Sequence, residues 1–213
     1  MKNIPGSVWL MGLVIVGVVV LIGLTIVSQQ QTFADVKLPV EITEYFDYQC
    51  SHCAEFAPTL ADVREKYGDK VQVSYRHYPF LNDNSFVFAY AAEAAREQDK
   101  FLQFHDEAFT IFNGVLAGTT DSTELDPVKI AQTLNLDMAK FDTDRNATEL
   151  QDRVRADKSE GAALGVSSTP TVFVYGKKVT VGTPNSTTGK TDYTKFTDLI
   201  AQLVDKATQN SQK

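Results

Sequence analysis

The only two cysteines among 213 residues close a strand-like run, Glu44-Tyr45-Phe46-Asp47-Tyr48-Gln49-Cys50-Ser51-His52-Cys53. The pair opens what reads as a helix, and that placement limits what the chain can be. A thiol at a helix N-terminus meets backbone N–H groups without intrahelical partners and the positive end of the macrodipole, both of which favour thiolate over thiol. Cys50 is therefore the candidate nucleophile. Cys53, on the same helical turn, is placed to resolve the mixed disulfide that Cys50 would form. A lone C-x-x-C is also half of a zinc site, but a structural zinc takes about four ligands. Only His52, His77 and His105 remain, none with paired spacing. We expect no metal and read the pair as redox-active.

From Val8 to Val27 the sequence VWLMGLVIVGVVVLIGLTIV carries no charge. At about 1.5 Å per residue it reaches about 30 Å, the thickness of a bilayer's hydrocarbon core. Signal-peptide apolar regions are shorter, about 7–15 residues, and end at a small-x-small site, for which Thr32-Phe33-Ala34 is a poor match. The expectation is an uncleaved single-pass anchor in the cell membrane. Residues 1–7, including Lys2, would be left as a short cytoplasmic N-terminus by the positive-inside rule. The chain beyond the anchor then lies outside the cytoplasm, where the surroundings are oxidising and thiols tend to pair. A bridge within C-x-x-C closes too small a loop to staple a fold, which leaves redox chemistry as its use. The formal net charge of −7, with no basic cluster, excludes nucleic acid as a partner.

Residues 28–38, with Gln29-Gln30-Gln31-Thr32 and no clear period, suit a linker. A first stretch of domain covers 39–83. Within it Val40–Phe46 reads as a strand, and Phe56, Leu60 and Val63 recur at helical spacing from Cys53 to Tyr67, with Pro58 as a kink and Gly68 as the stop. Val71, Val73 and Tyr75 then alternate as a second strand. Over 84–164 the pattern is helical: Phe86, Ala89, Tyr90 and Ala94 mark one helix, and Phe101, Phe104, Ala108, Phe109 and Phe112 the next. Asp126-Pro127, a capping residue before proline at the first helical position, predicts a third helix, and a fourth covers about Asp144 to Leu164. Period two returns in 165–209, where Thr171–Tyr175 and Val179–Val181, separated by Gly176-Lys177-Lys178, predict a hairpin. An amphipathic helix over Asp192–Gln209 and a polar tail, 210–213, end the chain.

The resulting order of strand, helix, strand, helical insertion, hairpin and helix resembles a thioredoxin fold. On this reading the fold class is α/β, thioredoxin-like with an inserted helical subdomain, preceded by one N-terminal transmembrane helix. Further residues narrow the resemblance: Pro58 beyond the C-x-x-C, Arg76-His77-Tyr78-Pro79-Phe80, Gly165-Val166-Ser167-Ser168-Thr169-Pro170-Thr171, and the Cys-x-His-Cys form of the motif. With these the chain resembles the DsbA family of extracytoplasmic thiol oxidases over about Val40 to Val204.

The resemblance implies a set of roles. Thr169 and Pro170 fall where the family has a cis-proline loop that faces the disulfide and offers backbone groups to a bound peptide; Thr183-Pro184 is a rival, but polar residues come after it. Glu44 falls where the family places a buried acid, and its register with Ile42 and Phe46 buries it if that face is buried. Such an acid would have a raised pKa and could relay the proton of Cys53. A protonated His52 would stabilise the Cys50 thiolate. Ser51 departs from the family's usual proline, which bears on the redox poise. His77 and His105 read as packing residues. The implied function is a bacterial, membrane-tethered oxidase that introduces disulfides into secreted or surface proteins. It would act as a monomer, without a cofactor, on cysteine-containing client proteins, and be reoxidised by a quinone-linked membrane partner. A reductase or isomerase of the same fold, or a non-enzymatic module holding a metal or a client at the C-x-x-C, are the alternatives.

Overall fold

The first strand, β1 (Val40–Phe46), is built from Val40, Ile42, Tyr45 and Phe46, β-branched and aromatic residues that pack well on a pleated surface, and all four are buried. A computed structural model of the chain describes Phe33 and residues 35–186 and 190–212. It divides into two units, Met1–Asp35 and Val36–Lys213. The expected membrane segment, 8–27, lies outside the described residues, as do residues 1–7 and most of the linker. Among the described residues no helix is long and apolar enough to cross a membrane.

Strand β2 (Val71–His77) runs parallel to β1, with Val40 opposite Val71 and Phe46 opposite His77. Parallel neighbours need a crossover, which α1 (Ser51–Tyr67) supplies, with Pro58 accommodated inside it. Gly68 comes next at φ +50°, a conformation that suits glycine. On the other side of β1, β3 (Thr171–Val174) pairs antiparallel with Tyr45 opposite Thr171, and β4 (Lys177–Val179) pairs antiparallel with β3. The sheet order is β2-β1-β3-β4. The turn between β3 and β4 is two residues, not the predicted three. Tyr175 and Gly176 take φ +47° and +71°, the pattern of a primed hairpin turn, so the second strand starts at Lys177 rather than Val179.

Five helices stand between β2 and β3. They are α2 (Asp83–Arg96), α3 (Phe101–Leu116), α4 (Pro127–Thr133), α5 (Met138–Arg145) and α6 (Thr148–Ala163). The Asp126 side chain accepts from the N–H groups of Val128 and Lys129, and Pro127 sits in the first turn, so the Asp-Pro signal marks the start of α4. The single helix predicted from about Asp144 to Leu164 is broken at Asn146-Ala147. There the Asn146 amide donates to the Asp142 carbonyl at 2.7 Å and Ala147 is extended, a local side-chain bond that competes with continuing the helix. After β4 come the short antiparallel pair β5 (Thr183–Pro184) and β6 (Thr191–Asp192), and then α7 (Thr194–Asn210).

His105 stands inside an aromatic cluster, with its ring centroid 4.4 Å from Tyr75 and 4.8 Å from Phe46. Burial pushes its pKa well below the usual value, so it packs as a neutral ring. His77 does more than pack. Its Nε2 lies 2.9 Å from Glu93 Oε1, Arg96 Nε donates to the same oxygen at 3.0 Å, and Arg153 donates to Oε2 at 2.8 Å. Burial works to raise the Glu93 pKa, but His77, Arg96 and Arg153 outweigh it and hold the carboxyl at about 2. A separate core cluster joins Tyr45, Tyr78, Val166 and Phe173.

That second cluster leaves no room at Gly161 of α6. An added Cβ would lie 2.8 Å from Tyr45 Cδ1 and 2.9 Å from Tyr78 Cδ2. Glycine to alanine inside a helix ordinarily gains about 1 kcal/mol, whereas overpacking a core costs about 1–3 kcal/mol. Both rings are confined, Tyr78 by its hydroxyl donating to the Val166 carbonyl at 2.7 Å. The overpacking wins, so Gly161→Ala should lower Tm by a few degrees in a thermal melt, at about 2–4 °C per kcal/mol; a rise would show that the rings give way freely.

Candidate active site

Between β1 and α1 the chain turns within Asp47-Tyr48-Gln49, and Asp47 fixes that turn. Its buried carboxylate accepts the N–H groups of Gln49 at 2.9 Å, Phe80 at 2.9 Å and Leu81 at 3.2 Å, while its carbonyl accepts from the Cys50 N–H at 3.0 Å. The sequence gives Asp47 no role beyond that of a turn former, because its partners at 80 and 81 are distant along the chain. Cys50 is then the N-cap of α1, extended at φ −91° and ψ 115°, with no side-chain cap bond and no acidic residue in the first helical turn. The thiol occupies the position that a capping oxygen usually takes.

Across from it, the Thr169–Pro170 peptide bond is cis, and Cys50 Sγ donates to the Thr169 carbonyl at 3.3 Å. Thr183–Pro184 is not cis, whereas Leu38–Pro39 is. The Cys50 pKa is pushed down to about 6. The Cys53 side chain contributes most, against the effect of burial, followed by the Thr169 side chain and the backbone N–H groups of Cys53 and His52. Thr169 Oγ1 is buried without a partner, which makes it the donor at hand once Cys50 ionises. Cys53 behaves in the opposite way. It is fully buried, and burial, then Cys50 and then Glu44 push its thiol well above the usual value.

Glu44 shares a face of β1 with Ile42 and Phe46, each 1% exposed. Burial is the main cause that pushes its carboxyl up to about 8; Arg64 pulls downward and Cys50 upward. Glu44 Oε2 has no hydrogen-bond partner, and Arg64, which nothing in the sequence singles out, is committed to Asp106 at 2.8 and 2.9 Å. His52 departs from the expected arrangement. Its side chain is 72% exposed, and Nδ1 lies 3.7 Å from Glu55 Oε2, because residues three apart on a helix are neighbours. What His52 gives the thiolate is its backbone N–H, not its imidazole. The fold thus gathers Cys50, Cys53, Glu44, Thr169 and Pro170, with the His52 ring on the rim. Among the described residues no three His, Cys, Asp or Glu side chains converge as metal ligands.

A low-pKa thiol at a helix start, a buried partner thiol and a facing cis-proline loop make a site built for thiol-disulfide exchange. Residues 32–201 match the family described as Thioredoxin. This chain belongs to the thioredoxin family. It is 31% identical over 158 residues to the probable disulfide bond formation protein D of Bacillus anthracis, covering 70% of this chain and 71% of that one. It is also 31% identical over 166 residues to the Na(+)/H(+) antiporter NhaA 1 of Mycobacterium sp. (strain KMS), although it spans only 26% of that protein's length against 74% of its own. Among solved structures, alpha-DsbA1 of Wolbachia pipientis superposes with a TM-score of 0.62 at 26% identity, covering 83% of this chain and 91% of that one. The fold of this thioredoxin-family member is the α/β fold expected, of the DsbA-like kind found in thiol-disulfide oxidoreductases.

The buried acid sets a pH-dependent cost. Glu44 has a folded pKa of about 8 against an ordinary 4.5, so the folded state holds its proton more tightly than the unfolded state does. Stability from that proton is complete below pH 4.5 and is lost as pH rises through about 8. Glu44→Gln should therefore melt progressively higher than the parent as pH is raised from about 4 to about 8. A gap that stays constant with pH would show that Glu44 is ionised in the folded protein.

Proposed function

We propose that this chain is a thiol-disulfide oxidase, tethered to a bacterial cell membrane by residues 8–27 and oxidising cysteine pairs of secreted or surface client proteins outside the cytoplasm. The observation that carries the reading is the division between the two thiols: Cys50 pushed down to about 6 at the helix start, and Cys53 buried and pushed up. In the oxidised domain a client thiolate attacks Cys50 Sγ. The Cys50–Cys53 bond breaks, and its electron pair leaves on Cys53, which takes a proton. Glu44, at about 8, carries that proton at neutral pH and is felt at Cys53. A second client thiolate then attacks the client sulfur of the mixed disulfide, and Cys50 leaves as a thiolate. The low pKa makes it a good leaving group. The client loses two electrons and two protons and gains a disulfide, and the domain becomes a dithiol.

Thr169 and Pro170 face the incoming client with backbone groups. The domain's own disulfide is the electron acceptor, so no cofactor is assigned, and a quinone-linked membrane partner would restore it. The matching stretch in proteins named as Na(+)/H(+) antiporters supports a working place at the membrane.

Two opposing effects set the direction of electron flow. Closing a loop of about four residues favours the oxidised form by about 2 kcal/mol. A Cys50 pKa of about 6 against an unfolded value of about 8.5 favours the reduced form at pH 7 by about 1 to 2 kcal/mol. The near cancellation also suits a reductase, and the equilibrium potential against glutathione separates the two: a value more oxidising than glutathione is expected. The sign of the thiolate contribution is set by a lowered folded pKa, so it is complete above about pH 8.5 and lost as pH falls through about 6. The reduced protein should thus gain in Tm on the oxidised one between about pH 6 and 8.5, and Cys50→Ser, which forms no disulfide, should show no such gain on the oxidised parent over the same range. A thiolate absorbance titration should give a midpoint near 6, and one above about 8 would remove the reading.

Trapping separates the roles of the two thiols. Cys53→Ala cannot form the internal disulfide, so its Cys50 thiolate should accumulate as mixed disulfides with clients that already carry one, which no Cys53 thiol is there to cleave, while Cys50→Ala should trap far fewer. Equal trapping by both variants would reverse the assignment.

A further inference from the structure

A cleft of about 290 Å³ opens between the cis-proline loop and the β5–β6 pair, with Pro170, Val179, Val181, Pro184 and Tyr193 among its walls and His52 at its rim; Thr169, whose carbonyl accepts from Cys50, also lines it. Two strands of two residues each do not hold themselves in place, since an isolated ribbon even of ordinary length is marginal in water. Something must pin this one to the domain. Glu55, one turn into α1, does so with both carboxylate oxygens: Oε1 accepts the Thr191 N–H and Oε2 the Thr191 hydroxyl, each at 2.9 Å, across 136 residues of sequence. Hydrogen bonds to an ionised acceptor are the strong ones. Partial burial tends to raise the Glu55 pKa, but the Thr191 backbone and hydroxyl, with His52 facing them, hold it below the ordinary value. The Tyr193 ring completes the attachment by packing on Phe56 at 5.3 Å. A Cβ on Gly182 would stand 2.3 Å from Thr191 Cγ2 and 2.9 Å from the Tyr193 ring, so glycine lets the pair close on the clamp.

We propose that Glu55 is a positioning residue for the client, clamping the β5–β6 pair to α1 through Thr191 and so holding one wall of the cleft in place beside Cys50. The inference rests on the reading of Cys50 and Cys53 as a redox pair that acts on polypeptides. Pro170, Val179, Val181 and Pro184 suit an apolar side chain next to the client cysteine, alongside Lys178 and the hydroxyl-bearing Ser168, Thr171 and Thr191. At about 290 Å³ the cleft takes one or two side chains, so it selects for what flanks the cysteine without gripping a long segment. A small dithiol has no such side chain and does not use this wall.

The test compares the oxidised full-length chain acting on two reductants, dithiothreitol and a synthetic peptide with two cysteines, each with a valine directly after it. Glu55→Ala should lower the peptide rate relative to the dithiothreitol rate by about tenfold, through KM rather than kcat, as the loss of a charged hydrogen bond predicts. Glu55→Gln keeps an acceptor for the Thr191 N–H and a polar partner for its hydroxyl, and should restore most of the ratio. Thr191→Val should lower the ratio by a smaller factor, and combining it with Glu55→Ala should add little, since both act on one clamp; it also serves as the probe if Glu55→Ala does not fold. An unchanged ratio in Glu55→Ala and Thr191→Val, or an equal fall with both reductants, would overturn the clamp. Failure of the parent chain to oxidise either reductant would instead remove the redox reading on which the clamp depends.

Discussion

One buried carboxylate sets the geometry on which this site depends. Asp47 takes three N–H groups, one from its own turn and two from the segment after β2, so the start of α1 is referenced to the end of the neighbouring strand. Burying a carboxylate is costly unless its oxygens are satisfied, and these donors satisfy them. Cys50 can therefore stand at the N-cap without a competing side chain, and the helix directs its unpaired N–H groups at sulfur. With a serine or aspartate cap those groups would already be taken.

Depth governs the electrostatics. Cys50 lies just under the surface, where donors outweigh desolvation, whereas Cys53 and Glu44 lie deep enough for desolvation to dominate. Two thiols on one turn of helix thus differ in proton affinity because one meets N–H groups and the other is fully buried behind its partner thiol, with Glu44 adding to the effect. Arg64 could have ionised that acid, but its guanidinium is engaged by Asp106.

Much of this was legible in the chain. The strand ahead of the cysteines, the Asp126-Pro127 start and the glycine stop at Gly68 are local signals, and local signals survive folding. Other features depend on distant partners. The break at Asn146 hinges on one amide choosing a carbonyl over solvent, and the hairpin turn moved because Tyr175 adopts a positive φ that its residue type does not advertise. The His52 ring was expected beside the thiolate on sequence proximity alone, but helical spacing gave it Glu55. Asp47, Arg64 and Glu55 escaped notice because each acts through a contact that only the tertiary fold creates.

Glu93 shows how the helical layer is joined to the sheet. It receives His77 from β2, Arg96 from its own helix and Arg153 from α6. An apolar seam tolerates a small rotation of one helix against another, because dispersion is non-directional and neighbouring packings differ little. A buried ion with three directed partners does not, since losing one exposes an uncompensated charge. The joint therefore works as a key rather than an adhesive. It gives the layer one seating at the end of β2 that also meets the thiol-bearing turn, and the alignment of the redox pair is inherited from a contact that never touches sulfur.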